Sequence, residues 1–241
     1  MKCWANELGN CSEKMSLEHY VSKGVFSDLK IKVQGFSWCL NEPKKISLAK
    51  LGTKILCTKH NNQLGEVIDL EGIRLFKFIK DISGSERTLE LNGYDFEKWL
   101  LKTAINLTVH SNEKLGIGMV YKEGNNICTY FQHVLFGLTK LDYDMGMYLL
   151  PNDTHVKCQH NDFLKIVPIS KNKEIGAVYF NIQGLGLVLA LFPNHSLPIL
   201  KSIGINNNIA LDHVDAKPIY RPRELEIQSG RIVKKIILNW K

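Results

Sequence analysis

The chain lacks any apolar stretch long enough to cross a bilayer. Its longest run, GLGLVLALFP at 184–193, falls far short of the roughly 20 residues that a spanning helix needs. No apolar segment follows Lys2, and Glu7 and Glu13 come soon after, so a secretory leader is not expected and the expected location is the cytoplasm. A dinucleotide-type phosphate loop is missing too, because GLGLVLA at 184–190 has no third glycine and no strand-to-helix setting. There are no repeats and no low-complexity tracts, which excludes solenoids and disordered tails. Cysteine is sparse, with six among 241 residues. In a reducing compartment these are expected as thiols or metal ligands and not as disulfides.

What remains is the composition of an ordinary folded protein, 44% hydrophobic and 23% charged. The length admits one large domain or a small one joined to a larger one. Net charge is +7 and unevenly placed. Residues 1–60 hold ten lysines against five acids, and the other 181 residues hold 21 basic against 19 acidic. Most of the excess positive charge therefore lies in the first quarter, where a polyanion would find a favourable field. Lys23, Lys54 and Lys59 there, with Arg221 and Arg223 in KPIYRPREL, are the candidate nucleic-acid contacts.

The expected class is α+β. Short loop-rich pieces open the chain, and LKIKVQGF at 29–36 alternates apolar Ile31 and Val33 with lysines as a half-buried strand does. TKHNNQLGEVIDLEGIRLFKFIKDI reads as a helix that continues or restarts after Gly65 and Gly72. YDFEKWLLKTAINLTVHS at 94–111 carries the strongest helical spacing, with Asp95 as its expected N-cap. Beyond residue 116 short strand-like runs, among them ICTYFQHVLFGL, MGMYLLP, FLKIVPIS and RIVKKIILNW, alternate with turn-rich stretches. They imply a mostly antiparallel β region. The expected division is a small module over 1–90 and an accessory or recognition region over 91–241.

Chemistry concentrates in CSEKMSLEHYVSKG at 11–24 and KILCTKHNNQL at 54–64. A structural zinc site takes four thiolate or imidazole ligands, usually as two pairs from separated loops. Cys57 and His60, with two residues between them, have the spacing of one pair. Cys3 and Cys11, with seven residues between them, form a looser second one. Cys39 in FSWCL reads as core and stands in reserve. Cys158 lies near His155 and His160 without a second pair at zinc spacing. Four zinc ligands leave Glu18, His19, Asn61 and Asn62 unexplained. A carboxylate and an amide oxygen suit Mg²⁺ or Mn²⁺, and an imidazole can take a proton from water. Phosphodiester hydrolysis needs both functions.

The order Cys, Cys, Glu-His, Cys-x2-His-Asn resembles the HNH (ββα-metal) endonuclease superfamily in its zinc-stapled form, over about residues 1–65. The resemblance implies a structural zinc on Cys3, Cys11, Cys57 and His60. It also implies a catalytic Mg²⁺ or Mn²⁺ on Glu18 and Asn61, with His19 as general base. The middle asparagine of the family pattern has no counterpart in LAKLGTK, where a backbone carbonyl could orient the histidine instead. The implied activity is cleavage of DNA or RNA, with DNA the first expectation, in a microbial defence setting, with a homodimer or a protein partner as regulator. A degenerate HNH-like zinc protein, acting in nucleic-acid binding, sensing or interaction, is the alternative.

Overall fold

The chain opens with β1 (Met15–His19), β2 (Lys30–Gln34), β3 (Lys44–Ser47) and β4 (Gly52–Cys57). It then turns helical through α1 (Thr58–Leu64), a π-helical turn (Gly65–Asp69) and α2 (Leu70–Lys80). After β5 (Thr88–Asn92) and α3 (Gly93–Val109) come two-residue strands β6 (Tyr121–Lys122) and β7 (Asn126–Ile127), then α4 (Thr129–Leu135). The remainder is β8 (Gly146–Leu149), β9 (Val156–Lys157), β10 (Phe163–Lys171), β11 (Glu174–Ile182), β12 (Leu185–Ala190), β13 (Ile219–Tyr220), β14 (Glu224–Ser229) and β15 (Ile232–Asn239). This computed structural model describes residues 3–81, 87–109, 121–122, 126–127, 129–142, 145–149, 156–157, 162–171, 174–191, 219–229 and 232–241. The cluster of His155, Cys158 and His160 and the stretch 110–120 lie outside the described residues.

The protein is mixed α+β. Among the described residues a seven-stranded sheet runs β13-β8-β12-β11-β10-β2-β3, a four-stranded sheet runs β5-β15-β14-β9, and β1 pairs with β4 alone. Most pairings are antiparallel; β10 with β2, β14 with β9 and β15 with β5 are parallel. The larger sheet takes strands from both sides of residue 90. One apolar core reaches from Trp4 through Val33, Phe76 and Trp99 to Leu238. β11 and β12 are joined by a turn in which Gln183 and Gly184 both take positive φ, 55° and 96°, the geometry a tight hairpin demands.

Two helices differ from the sequence reading. ICTYFQHVLFGL, expected as a strand, contains α4. Phe131, Val134 and Leu135 fall at helical spacing and all three are buried, so core contact decided the period. At the start of α3 the cap is Asn92 and not Asp95. The Asn92 Oδ1 accepts from the Asp95 N–H at 3.2 Å, while Asp95 pairs with Lys98 in the first turn. The chain also stays helical through Gly65 and Gly72, and Gly72 permits a close approach. A Cβ there would lie 2.4 Å from the Trp99 ring.

Candidate functional site

β4 and α1 meet at Cys57, which occupies the N-cap position of α1 and accepts from the His60 N–H. One helical turn then carries the His60 ring back over the cap, toward two cysteines delivered from the other side. Cys3 is fixed because the neighbouring Trp4 N–H donates to the Ile55 carbonyl of β4 at 3.0 Å. Cys11 arrives on a loop that turns at Gly9 and Asn10, both with positive φ. The donor atoms of Cys3, Cys11, Cys57 and His60 all lie within 4.8 Å of one another. The three sulfurs surround one nitrogen, His60 Nδ1, at 3.4 Å (Cys3), 3.6 Å (Cys11) and 3.4 Å (Cys57).

Burial and Lys59 lower the His60 pKa, and a hydrogen bond with the Gly9 backbone opposes them. Burial pushes the Cys3 thiol up to about 12. At Cys57 burial acts in the same direction, but the His60 N–H and the Ser12 and Cys3 contacts outweigh it and bring the thiol down to about 7. The four residues expected from spacing are thus together, and the group could hold a metal ion. Cys39 is buried elsewhere in the core.

A cleft of about 460 Å³ opens beside this cluster, lined among others by Glu18, His19, Lys23, Asn61, Asn62 and Asp69. Glu18 and His19 end β1, opposite Thr53 and Gly52 of β4, and Asn61 sits in the first turns of α1. The three residues singled out for chemistry therefore border one space. Asn61 Nδ2 donates to Ser16 Oγ at 2.9 Å, which leaves its amide oxygen for the cleft. His19 is half-buried. Burial, then Lys23 and Lys102, hold its pKa below the ordinary 6.5, so the ring is neutral at pH 7.

Glu18 is more constrained than the sequence indicated. Its carboxylate is buried, and Oε1 accepts from Lys102 Nζ at 2.8 Å and from Asn106 Nδ2 at 2.9 Å. Lys102 also reaches Asp69 Oδ2 at 2.7 Å. Two carboxylates thus share one buried ammonium. Burial raises the Glu18 pKa, an effect that Lys102 only partly counters. Lys102 moves up because Glu18 and Asp69 overcome the burial that would lower it. The two directions agree with a cluster that is one positive charge short, and among the described residues the buried Asp69 Oδ1 finds no hydrogen-bond partner. The π-helical turn brings Asp69 to the cleft, as such turns often do at functional sites.

Lys102, Asn106 and Asp69 were not singled out from the sequence. A signal did exist: α3 is buried almost all round, and a lysine inside such a helix needs a carboxylate partner. Of the expected nucleic-acid contacts, Lys23 lines the cleft, and Lys54, Lys59 and Arg223 are exposed. Arg221 is engaged elsewhere. It forms a double hydrogen bond to the buried Glu97 at 2.8 and 3.0 Å and packs over Tyr94, Tyr220 and Trp240. Among the described residues no helix is long and apolar enough to cross a membrane. Comparison with protein-family models, curated proteins and solved structures found no match to this chain.

Proposed function

We propose that the protein is a metal-dependent endonuclease of HNH type, hydrolysing phosphodiester bonds in DNA or RNA. The observation that carries the reading is the shared cleft: Glu18, His19 and Asn61 converge on one space, beside a four-ligand cluster that braces the strand-strand-helix unit bearing them. Zinc fits the cluster. A tetrahedral zinc with ligand bonds of about 2.3 Å to sulfur and 2.0–2.1 Å to nitrogen sets a sulfur–nitrogen edge of about 3.5 Å. The three edges are 3.4, 3.4 and 3.6 Å.

In the cleft Glu18 has one oxygen committed to Lys102 and Asn106, and Oε2 is left as a hard ligand. Asn61 contributes its amide oxygen. A Mg²⁺ or Mn²⁺ held there would supply the charge neutralisation that a scissile phosphate requires. The neutral His19 ring takes the proton from the attacking water, and Lys23 at the cleft wall favours an anionic substrate. Lys102 and Asn106 orient Glu18 from behind.

The test is cleavage of supercoiled plasmid and of RNA by the purified chain with Mg²⁺ or Mn²⁺. His19→Ala is expected to lose at least about 100-fold in rate, with metal content and melting temperature unchanged. Undiminished nicking by that variant would sink the reading. Two observations favour a second reading, a degenerate binding protein on the same scaffold. Glu18 is bound by a lysine, and Gly52 stands opposite His19. It expects salt-dependent binding of nucleic acid and no cleavage with either cation.

A further inference from the structure

On β2 the core takes Ile31 and Val33, both fully buried, which turns Lys30 and Lys32 to the opposite side of the seven-stranded sheet. The register continues that face across its neighbours. Lys45 of β3 stands directly across from Lys32. On the other flank Phe163 of β10 pairs with Lys32, and Lys165 pairs with Gln34. Leu164, between them, pairs with Val33 and is fully buried, so Phe163 and Lys165 share the lysine face. Asn181 of β11 lies across from Lys165 and extends it.

Lys30, Lys32 and Lys45 are exposed, and Lys165 and Phe163 are half-buried. Among the described residues none of the four ammonium groups has an ion-pair partner. Like charges directly opposite each other destabilise a sheet. Lysine on an edge strand guards against pairing with another sheet, and that accounts for Lys45. It does not account for Lys30, Lys32 and Lys165, because β2 and β10 are interior strands bonded on both sides. Positive charge that repels itself across three strands becomes favourable when a polyanion lies over it.

We infer that this face docks a single strand of nucleic acid, with the lysines on its phosphates and the Phe163 ring against a base. A pleated face offers no groove that fits a duplex, whereas unpaired bases can lie against the part of a ring that reaches the surface. The polyanion is identified as nucleic acid on the strength of the proposed hydrolysis, but the charge geometry stands without it.

The experiment is fluorescence anisotropy of a labelled single-stranded oligonucleotide, and of the same sequence as a duplex, with the full chain at several salt concentrations and no added divalent cation. Lys32→Glu and Lys165→Glu are each expected to weaken single-strand binding about tenfold. Each is expected to lower the slope of log affinity against log salt by about 0.7, the loss of one phosphate contact. Lys32→Glu also faces Lys45 with an opposite charge, so it is expected to melt at a higher temperature while binding less. Unchanged affinity and slope in both variants overturns the docking surface, and so does tighter binding of the duplex. Should the wild type bind in this manner and cut nothing, the hydrolysis reading fails and the docking surface stands. Intact cleavage with unaltered binding by both lysine variants is the opposite result.

Discussion

Lys102 holds together two carboxylates that come from distant parts of the chain, Glu18 from β1 and Asp69 from the π-helical turn. Removing a single partner from a buried charge cluster costs far more than the cluster contributes, because the remaining charges stay desolvated. Lys102→Met is expected to destabilise the fold by about 3–5 kcal/mol at pH 7. The sign of its pH dependence follows from Glu18, which burial raises and Lys102 restrains. Without the ammonium the folded-state carboxyl pKa stands further above its unfolded value, so folding takes up protons. The variant is therefore expected to be least impaired below the unfolded carboxyl range, near about pH 4, and to lose stability as pH rises through the folded pKa. Urea unfolding at pH 5 and pH 8 measures this; an equal loss at both would assign Lys102 a packing role. At this scale the grouping of Cys3, Cys11, Cys57 and His60 was legible in the sequence, since cysteine and histidine at fixed spacing carry their own chemistry. The Lys102 partners were not, because nothing local in LLKTAINL says which carboxylate, 33 or 84 residues away, will meet it.

At the scale of elements, the helical stretch from Thr58 to Lys80 contains two glycines with opposite roles. At Gly72 the Trp99 ring fills the space a side chain would need. Gly72→Ala is expected to lower stability by about 1–3 kcal/mol through overpacking. Gly65 has ordinary helical φ and ψ of −67° and −38°, and its nearest neighbour to an added Cβ is Asp69 Oδ2 at 3.7 Å. Gly65→Ala is expected to raise stability by about 0.5–1 kcal/mol. Thermal melts of the two variants should move in opposite directions. Local pattern revealed β2, α3 and the late strands, where periodicity or alternation is carried by consecutive residues. It could not reveal that β1 pairs with β4 across an intervening segment that contributes β2 and β3 to a different sheet. That pairing is fixed by core contacts made only after the chain has folded back. α4 was misread for the same reason, since a short apolar run fits either period until its neighbours choose.

For the molecule as a whole, the Cys/His cluster closes a loop from residue 3 to residue 60, and Trp4 beside it is buried with its Nε1 donating to Asn106 of α3 at 3.2 Å. One zinc per chain is expected by elemental analysis. Cys57→Ser should abolish it and lower the melting temperature by about 10 °C or more, given about 2–4 °C per kcal/mol for a chain of this size. Retention of a full equivalent of zinc by that variant would exclude the four-ligand site. Among the described residues the strand pairing of longest sequence span lies elsewhere. β5 has a single strand neighbour, β15, and Thr88 is matched with Lys235; Trp240, just beyond, packs edge-on against Tyr94 at the start of α3. While the polypeptide is being made on the ribosome, residues 88–92 must wait for more than a hundred later residues before their partner strand exists. During that interval β5 is an open edge available to any other extended chain, and that edge closes only once β15 has been made.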